Sequence, residues 1–150
     1  LFGHCCFEPG CTKNTYGTGC FMLMTPARRA LPPNMVWSRP SASPMTARSP
    51  TPRRSIFHAG TTVQWLRDKL GLISSTKEAS DLCRHLDDNG GCYLVPAFSG
   101  LGAPWWDPDA RGLICGLTGA SDRATLVRAA CESMAYQSLT YCAPWSAMRA

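Results

Sequence analysis

The sequence lacks the features that define several large classes of protein. No apolar run approaches the ~20 residues that a membrane-spanning helix needs, so we expect no membrane span. None of the nine cysteines belongs to a C-x-x-C pair, and the three histidines show no metal-ligand spacing. We therefore expect reduced, mostly buried thiols in a cytoplasmic protein, and neither a disulfide scaffold nor a metal site.

Acidic residues are missing from one segment, Thr25–Arg54, which holds six arginines and seven of the twelve prolines. Of the 15 basic residues, this leaves nine elsewhere against ten acidic ones, so the net charge of +5 belongs to this segment. The distribution argues against nucleic acid as a partner. The segment lacks helical or strand periodicity, and its composition predicts a disordered linker. A Pro/Arg-rich segment that binds an SH3-like groove is a second interpretation.

Two glycines flank a threonine at Gly17-Thr18-Gly19, inside a run from Lys13 to Met24 that has strand character on both sides. Glycine lets backbone N–H groups approach an anion closely, because no Cβ is in the way, and the threonine hydroxyl adds a donor. This pattern suits a nucleotide phosphate. By itself, however, the motif is more typical of an ordinary hairpin turn.

The remaining chain alternates between helical and strand patterns, which predicts an α/β fold. Ala59, Val63, Leu66 and Leu70 share one helical face, and Val127, Ala130 and Met134 share another. We predict helices at 55–70 (stopped by Gly71), 77–86 and 124–139, strands at 92–96 and 112–117, and a loop at 99–112.

Four blocks, in this order, resemble the glycerol kinases of the FGGY carbohydrate kinase family. They are Lys13–Met24, Ser55–Asp68, Tyr93–Pro108 and Arg111–Thr118, and shorter matches lie at 1–3 and 7–10. The resemblance implies a partial actin-like, ribonuclease-H-like ATPase domain from the C-terminal half of a longer enzyme. It further implies ATP-dependent phosphorylation of glycerol to glycerol 3-phosphate, with ATP and Mg²⁺ as cofactors and a homo-oligomer at full length.

The resemblance also assigns site residues. Thr18 matches the threonine that contacts ATP phosphates, and Gly60 and Gln64 match residues that contact the nucleotide. Phe21 matches a phenylalanine that packs on the carbon backbone of glycerol, although a core aromatic on a strand is equally consistent with its position. The family's general base is an aspartate expected upstream of Leu1, so we expect no catalytic residue here and an inactive isolated chain.

Other acidic residues, Asp107, Glu132 and Glu8, are interpreted as structural or surface residues. The family alternatives are another FGGY kinase, for xylulose, gluconate or ribulose, and a kinase-like protein that has lost catalysis. Two departures stand out: 117–120 is one residue shorter than the family pattern, and Thr125 replaces a polar His or Asn type.

Two segments do not follow the family, Thr25–Arg54 and Thr140–Ala150. The first replaces family strands of nearly equal length. For both, permitted codons exist whose reading two bases further on gives a sequence that resembles the family. We therefore predict that both segments are frame-shifted, which resequencing of the locus would test.

Overall fold

The computed structural model describes residues 2–8, 10–25, 53–102 and 105–146, and for 2, 53, 54 and 141–146 it describes the backbone alone. After a short 3-10 helix at Phe2–His4 come strands and helices in the order β1 (Thr12–Tyr16), β2 (Cys20–Met24), β3 (Arg53–Ile56), α1 (Gly60–Asp68), α2 (Thr76–Arg84), β4 (Tyr93–Val95), β5 (Leu113–Cys115) and α3 (Arg123–Ser146). Within these ranges, no helix combines the length and apolar character needed to cross a membrane.

The first three strands form an antiparallel sheet in the order β1-β2-β3, with β2 in the centre. Successive side chains of β2 point to opposite faces, since a strand has a period of two. Accordingly Cys20, Met22 and Met24 are buried, while Phe21 between them is 55% exposed. The buried face of β2 packs with Ile56 and Ala59 into a first apolar cluster.

A second apolar cluster lies between the three helices and the two-stranded antiparallel sheet of β4 and β5. Leu66 of α1, Leu94 of β4 and Val127 of α3 are each at most 5% exposed there. The long helix α3 contributes to both clusters, because Met134, two turns beyond Val127, packs against the first. Helix α3 therefore packs against both the β1-β2-β3 sheet and the second apolar cluster.

The α/β class predicted from the alternating pattern is confirmed, as is the hairpin around Gly17–Gly19. The predicted start of the first long helix at Ser55 is wrong. Ser55 and Ile56 pair with β2 in strand β3, and α1 begins five residues later at Gly60. Leu70 was also predicted on the buried face, but it lies beyond the end of α1 and is 44% exposed.

The structure describes a few residues of the two segments predicted to be frame-shifted, Thr25–Arg54 and Thr140–Ala150, and most of these residues belong to a strand or a helix. Arg53 and Arg54 belong to β3, contrary to the predicted lack of strand structure, and α3 continues past the predicted end at Leu139 to Ser146. Residues 26–52 and 147–150 lie outside the described part of the chain. The linker, partner-binding and frame-shift interpretations therefore remain predictions.

The cysteines differ from expectation. The eight whose side chains the structure describes are free thiols, but only Cys20 and Cys92 are buried, whereas Cys5 and Cys115 are exposed. The prediction that the thiols are mostly buried is therefore wrong. Several cysteines lie in loops or on strand β5, and not on the inward faces of helices and strands.

Candidate functional site

The tip of the β1–β2 hairpin is docked on the start of helix α1. The Gly60 N–H donates to the Gly17 carbonyl at 2.9 Å, and the N–H groups of Ala59 and Thr61 donate to the Thr18 carbonyl at 3.1 and 3.2 Å. The first N–H groups of a helix have no partner within it, and the residue before α1, Ala59, offers no capping side chain. The hairpin carbonyls therefore supply the cap.

This docking requires glycine at two positions. A Cβ on Gly60 would lie 2.5 Å from the Gly17 carbonyl oxygen, and a Cβ on Gly19 would lie 2.5 Å from the Ile56 carbonyl oxygen. Both contacts are with backbone atoms, which cannot swing aside as a flexible side chain could. Gly60 and Gly19 therefore allow the hairpin tip to sit directly on β3 and α1.

The tip is attached to α1 through its carbonyl oxygens, and within the hairpin the Gly17 N–H donates to the Gly19 carbonyl at 2.9 Å. The Thr18 side chain is exposed, and neither its hydroxyl nor its N–H hydrogen-bonds to any residue in the described part of the chain. An N–H group and a hydroxyl of one residue can both donate to the oxygens of an anion such as phosphate. The tip thus has the donor set that a nucleotide phosphate needs.

Gln64 lies one turn after Gly60 on α1, about 6 Å along the helix axis and on the same face. Its side chain is exposed, so its amide can donate to and accept from a ligand. The structure therefore places the three predicted nucleotide contacts, Thr18, Gly60 and Gln64, on one continuous surface formed by the hairpin tip and the first two turns of α1.

Phe21 is on β2, three residues after Thr18, and its ring faces away from the apolar cluster that contains Cys20 and Met22. The alternative prediction of a core aromatic is therefore wrong. The ring is available to a ligand or to another part of a longer protein.

Sequence reasoning missed three residues that support the tip. The Thr61 hydroxyl donates to the Thr18 carbonyl at 3.0 Å, and His58 Nδ1 lies 3.2 Å from that hydroxyl oxygen. On the other side of the imidazole ring, Nε2 lies 3.1 Å from the Ser99 hydroxyl. Burial lowers the pKa of His58 below its usual value, which favours the neutral ring. The sequence did offer one indication of these contacts: two polar residues, His58 and Thr61, lie on either side of Gly60.

Two of the acidic residues interpreted as structural, Asp107 and Glu132, make structural contacts, and the third, Glu8, is exposed. Asp107 Oδ1 accepts from the N–H groups of Asp109 and Ala110 at 2.9 and 3.0 Å, which is a turn-forming arrangement. Glu132 accepts from Arg128 at 2.7 Å and from Asn89 at 3.0 Å. Across the described ranges, no group of three or more His, Cys, Asp or Glu side chains could hold a metal ion.

Comparison with known proteins gives a consistent result. The model of the FGGY family of carbohydrate kinases, C-terminal domain, matches residues 12–140. Glycerol kinases from Shewanella baltica (strain OS195) and Desulfitobacterium hafniense are each 48% identical to the chain, over 139 and 143 residues. These matches cover 92% and 91% of the chain but 28% of each relative, so the chain spans little more than a quarter of their length.

Comparison with solved structures also finds carbohydrate kinases. The glycerol kinase of Plasmodium falciparum, crystallised with ADP, superposes with a TM-score of 0.73 at 35% identity, over 90% of this chain and 27% of that one. A xylulose kinase from Rhodospirillum rubrum gives a TM-score of 0.74 at 18% identity over 95% of this chain and 28% of that one, which shows a shared fold alone. The predicted actin-like ATPase fold is confirmed. The chain belongs to the FGGY family of carbohydrate kinases, whose C-terminal domain it matches over residues 12–140.

Proposed function

We propose that a longer protein carrying this chain is a glycerol kinase, which transfers the γ-phosphoryl group of ATP to glycerol to form glycerol 3-phosphate, and that this chain supplies part of its ATP site. The observation that carries the proposal is the hairpin tip, whose Thr18 donors face outward while its carbonyls are held by α1. The 48% sequence identity to glycerol kinases favours glycerol over a sugar. So does the comparison among solved structures, where identity is 35% to a glycerol kinase and 18–21% to xylulose kinases of similar fold.

Phosphoryl transfer depends mainly on holding the nucleotide, neutralising its charge and orienting the acceptor. In this proposal the Thr18 N–H and hydroxyl donate to phosphate oxygens, and the Gln64 amide contacts the nucleotide across the bare surface of Gly60. When bound, Mg²⁺ would supply charge neutralisation on the phosphates.

Phe21 contacts the carbon backbone of glycerol in this proposal, because its exposed ring lies on the strand that leaves the phosphate-binding tip. The general base belongs to a part of the enzyme outside this chain. We therefore propose that the chain alone is inactive and binds ATP weakly. A micromolar ATP affinity of the isolated chain in isothermal titration would contradict that part of the proposal.

The activity can be tested in a chimera in which this chain replaces the matching segment of the Shewanella baltica glycerol kinase. A second chimera keeps the relative's own residues at the positions of 25–54, so that a damaged segment does not obscure the result. We expect the chimera to phosphorylate glycerol. Activity of the second chimera alone would support the frame-shift prediction.

The decisive variant is Thr18→Val in the active chimera, with Thr76→Val, an exposed threonine at the start of α2, as its matched control. A hydrogen bond to a charged group contributes about 1.5–3 kcal/mol, so we expect kcat/KM for ATP to fall roughly 10- to 100-fold in Thr18→Val alone. Equal activities of the two variants, or no glycerol phosphorylation by either chimera, would overturn the proposal.

A further inference from the structure

A continuous line of side-chain hydrogen bonds runs from the loop after β4 to the hairpin tip. It connects the Ser99 hydroxyl with His58 Nε2 (3.1 Å), His58 Nδ1 with the Thr61 hydroxyl (3.2 Å), and the Thr61 hydroxyl with the Thr18 carbonyl (3.0 Å). It joins residues as far apart as 18 and 99 in the sequence.

The number of protons available on each group determines which groups along this line donate and which accept. The Thr61 hydroxyl has one proton, and it is used on the Thr18 carbonyl, which cannot itself donate. His58 Nδ1 must therefore carry a hydrogen and donate to the Thr61 oxygen. In the neutral ring, Nε2 is then the acceptor, and the Ser99 hydroxyl donates to it. The line thus requires one particular tautomer of His58.

The imidazole ring is also held by packing. Its ring meets that of Phe98 edge to face with centroids 5.2 Å apart, and Phe98 in turn lies 4.9 Å from the ring of Trp65 on α1. The burial that these contacts provide lowers the pKa of His58, in keeping with a neutral ring. The hydrogen bonds at both ring nitrogens and the contact with Phe98 therefore restrict the orientation of the His58 ring.

We propose that His58 is a positioning residue for the phosphate site: the Thr61 oxygen sets its tautomer, Ser99 holds its other ring nitrogen, and through Thr61 it holds the Thr18 carbonyl so that the Thr18 N–H and hydroxyl face the nucleotide. This inference rests on the proposed function in naming the nucleotide as the ligand. The physical gain is preorganisation, because a tip already held in place loses less conformational freedom when it binds.

The tautomer gives a direct test in the intact 150-residue chain without any ligand. Long-range ¹H–¹⁵N spectra of the neutral histidines distinguish a ring protonated at Nδ1 from one protonated at Nε2. We expect the Nδ1–H form for His58 and, because the Thr61 oxygen selects it, a mixture with the Nε2–H form in Thr61→Val but not in Ser99→Ala. A wild-type His58 in the Nε2–H form would overturn the inference.

Mobility of the tip gives the second test, with two rescue pairs. Thr61→Val removes the hydroxyl and Thr61→Ser restores it, while His58→Leu removes the donor and His58→Asn places an amide N–H near the former Nδ1. We expect the ¹⁵N order parameters of Thr18 and Gly19 to fall from about 0.85 toward 0.6 in the Val and Leu variants only. Unchanged order parameters in Thr61→Val and His58→Leu would contradict the inference.

Activity separates this inference from the proposed function. In the active chimera, Thr61→Val should raise the KM for ATP roughly threefold to tenfold, the equivalent of one neutral hydrogen bond, and Thr61→Ser should restore it. If the chimera has no activity, the proposed function fails while the tautomer and the order parameters still decide the inference. If the chimera is active and Thr61→Val has the wild-type KM, the inference fails and the proposed function stands.

Discussion

The N–H of Gly60 donates to the carbonyl oxygen of Gly17 at 2.9 Å, so the first residue of helix α1 is hydrogen-bonded to the tip of a hairpin more than 40 residues earlier in the chain. A helix start normally takes its cap from a side chain of the preceding residue. Here that residue is Ala59, and the cap comes from the hairpin instead. The position of the tip and the position of the helix start are therefore set by the same contact.

We expect Gly60→Ala to destabilise the chain by about 1–3 kcal/mol, the usual cost of forcing an extra methyl group into a packed site. The added Cβ would lie 2.5 Å from the Gly17 carbonyl oxygen, and relief of that contact requires the hairpin tip to move away from α1. Urea denaturation followed by circular dichroism measures the change.

Gly119→Ala is the matched control, because nothing lies within 4 Å of a Cβ at that position. It should change the free energy of unfolding by less than about 0.5 kcal/mol. Equal stabilities of Gly60→Ala and Gly119→Ala would show that the hairpin is not pressed against α1.

The elements that the sequence predicted correctly are those with local signals. The hairpin has its glycines between two strand-like runs, and α3 shows Val127, Ala130 and Met134 on one face. The start of α1 was wrong because Ser55 and Ile56 are compatible with either a helix or a strand. Their pairing with β2, a contact across a long stretch of chain, decides for the strand.

A second prediction concerns the two faces of β2. Met22→Ala should cost about 2–5 kcal/mol, because its side chain is 4% exposed and truncation leaves a cavity in the first apolar cluster. Phe21→Ala should cost less than about 1 kcal/mol, although it deletes a larger side chain, because that ring is 55% exposed. Thermal denaturation of both variants compares them, and a larger loss in Phe21→Ala would mean that the ring packs against the fold.

The candidate site was predictable only in part. The sequence motif and the family resemblance gave Thr18, Gly60 and Gln64, which the structure places on one surface. Neither indicated His58 or Ser99. Their contact joins residues 41 positions apart, and it depends on how the loop after β4 folds over the start of α1. No pattern of spacing along a single chain contains that information.

A third prediction concerns Arg128 of α3, which closes the end of helix α2. Its guanidinium donates to the carbonyls of Cys83 at 2.8 Å and Leu86 at 2.5 Å, and also to Glu132 on its own helix at 2.7 Å. Those two carbonyls lie at the end of α2 and just beyond it, where carbonyls lack partners within the helix. Arg128→Lys should therefore lower the melting temperature by several degrees, since an ammonium group cannot donate in the planar fork geometry.

Arg84→Ala provides the comparison for Arg128→Lys. The Arg84 side chain is 76% exposed and makes a single 3.4 Å ion pair with Asp81, and exposed pairs of this kind contribute little. Its melting temperature should stay close to that of the wild type. Equal melting temperatures of the two variants would mean that the hydrogen bonds from the Arg128 guanidinium do not stabilise the contact between α2 and α3.

The last prediction concerns the order in which the cysteines react. Burial, with a smaller effect of the neighbouring Cys83, raises the pKa of Cys131 to about 12, and burial also raises the pKa of Cys92. The thiolate is the reactive form, so at pH 8 the raised pKa leaves far less of Cys131 ionised than of a thiol with the ordinary pKa of about 8.5. Burial raises the pKa of Cys20 as well. Iodoacetamide should therefore label the exposed Cys5 and Cys115 first and Cys131, Cys92 and Cys20 last, as mass spectrometry of digested samples would show.

The pH dependence distinguishes this effect from simple steric protection. Because Cys131 is mostly protonated throughout, its labelling rate should keep rising about tenfold per unit between pH 8 and 9.5, whereas a thiol of ordinary pKa levels off in that range. In denaturant the difference between Cys131 and Cys115 should disappear, since burial is lost. Labelling of Cys131 in the folded chain as fast as that of Cys115 would mean that α3 does not pack against the end of α2 as described.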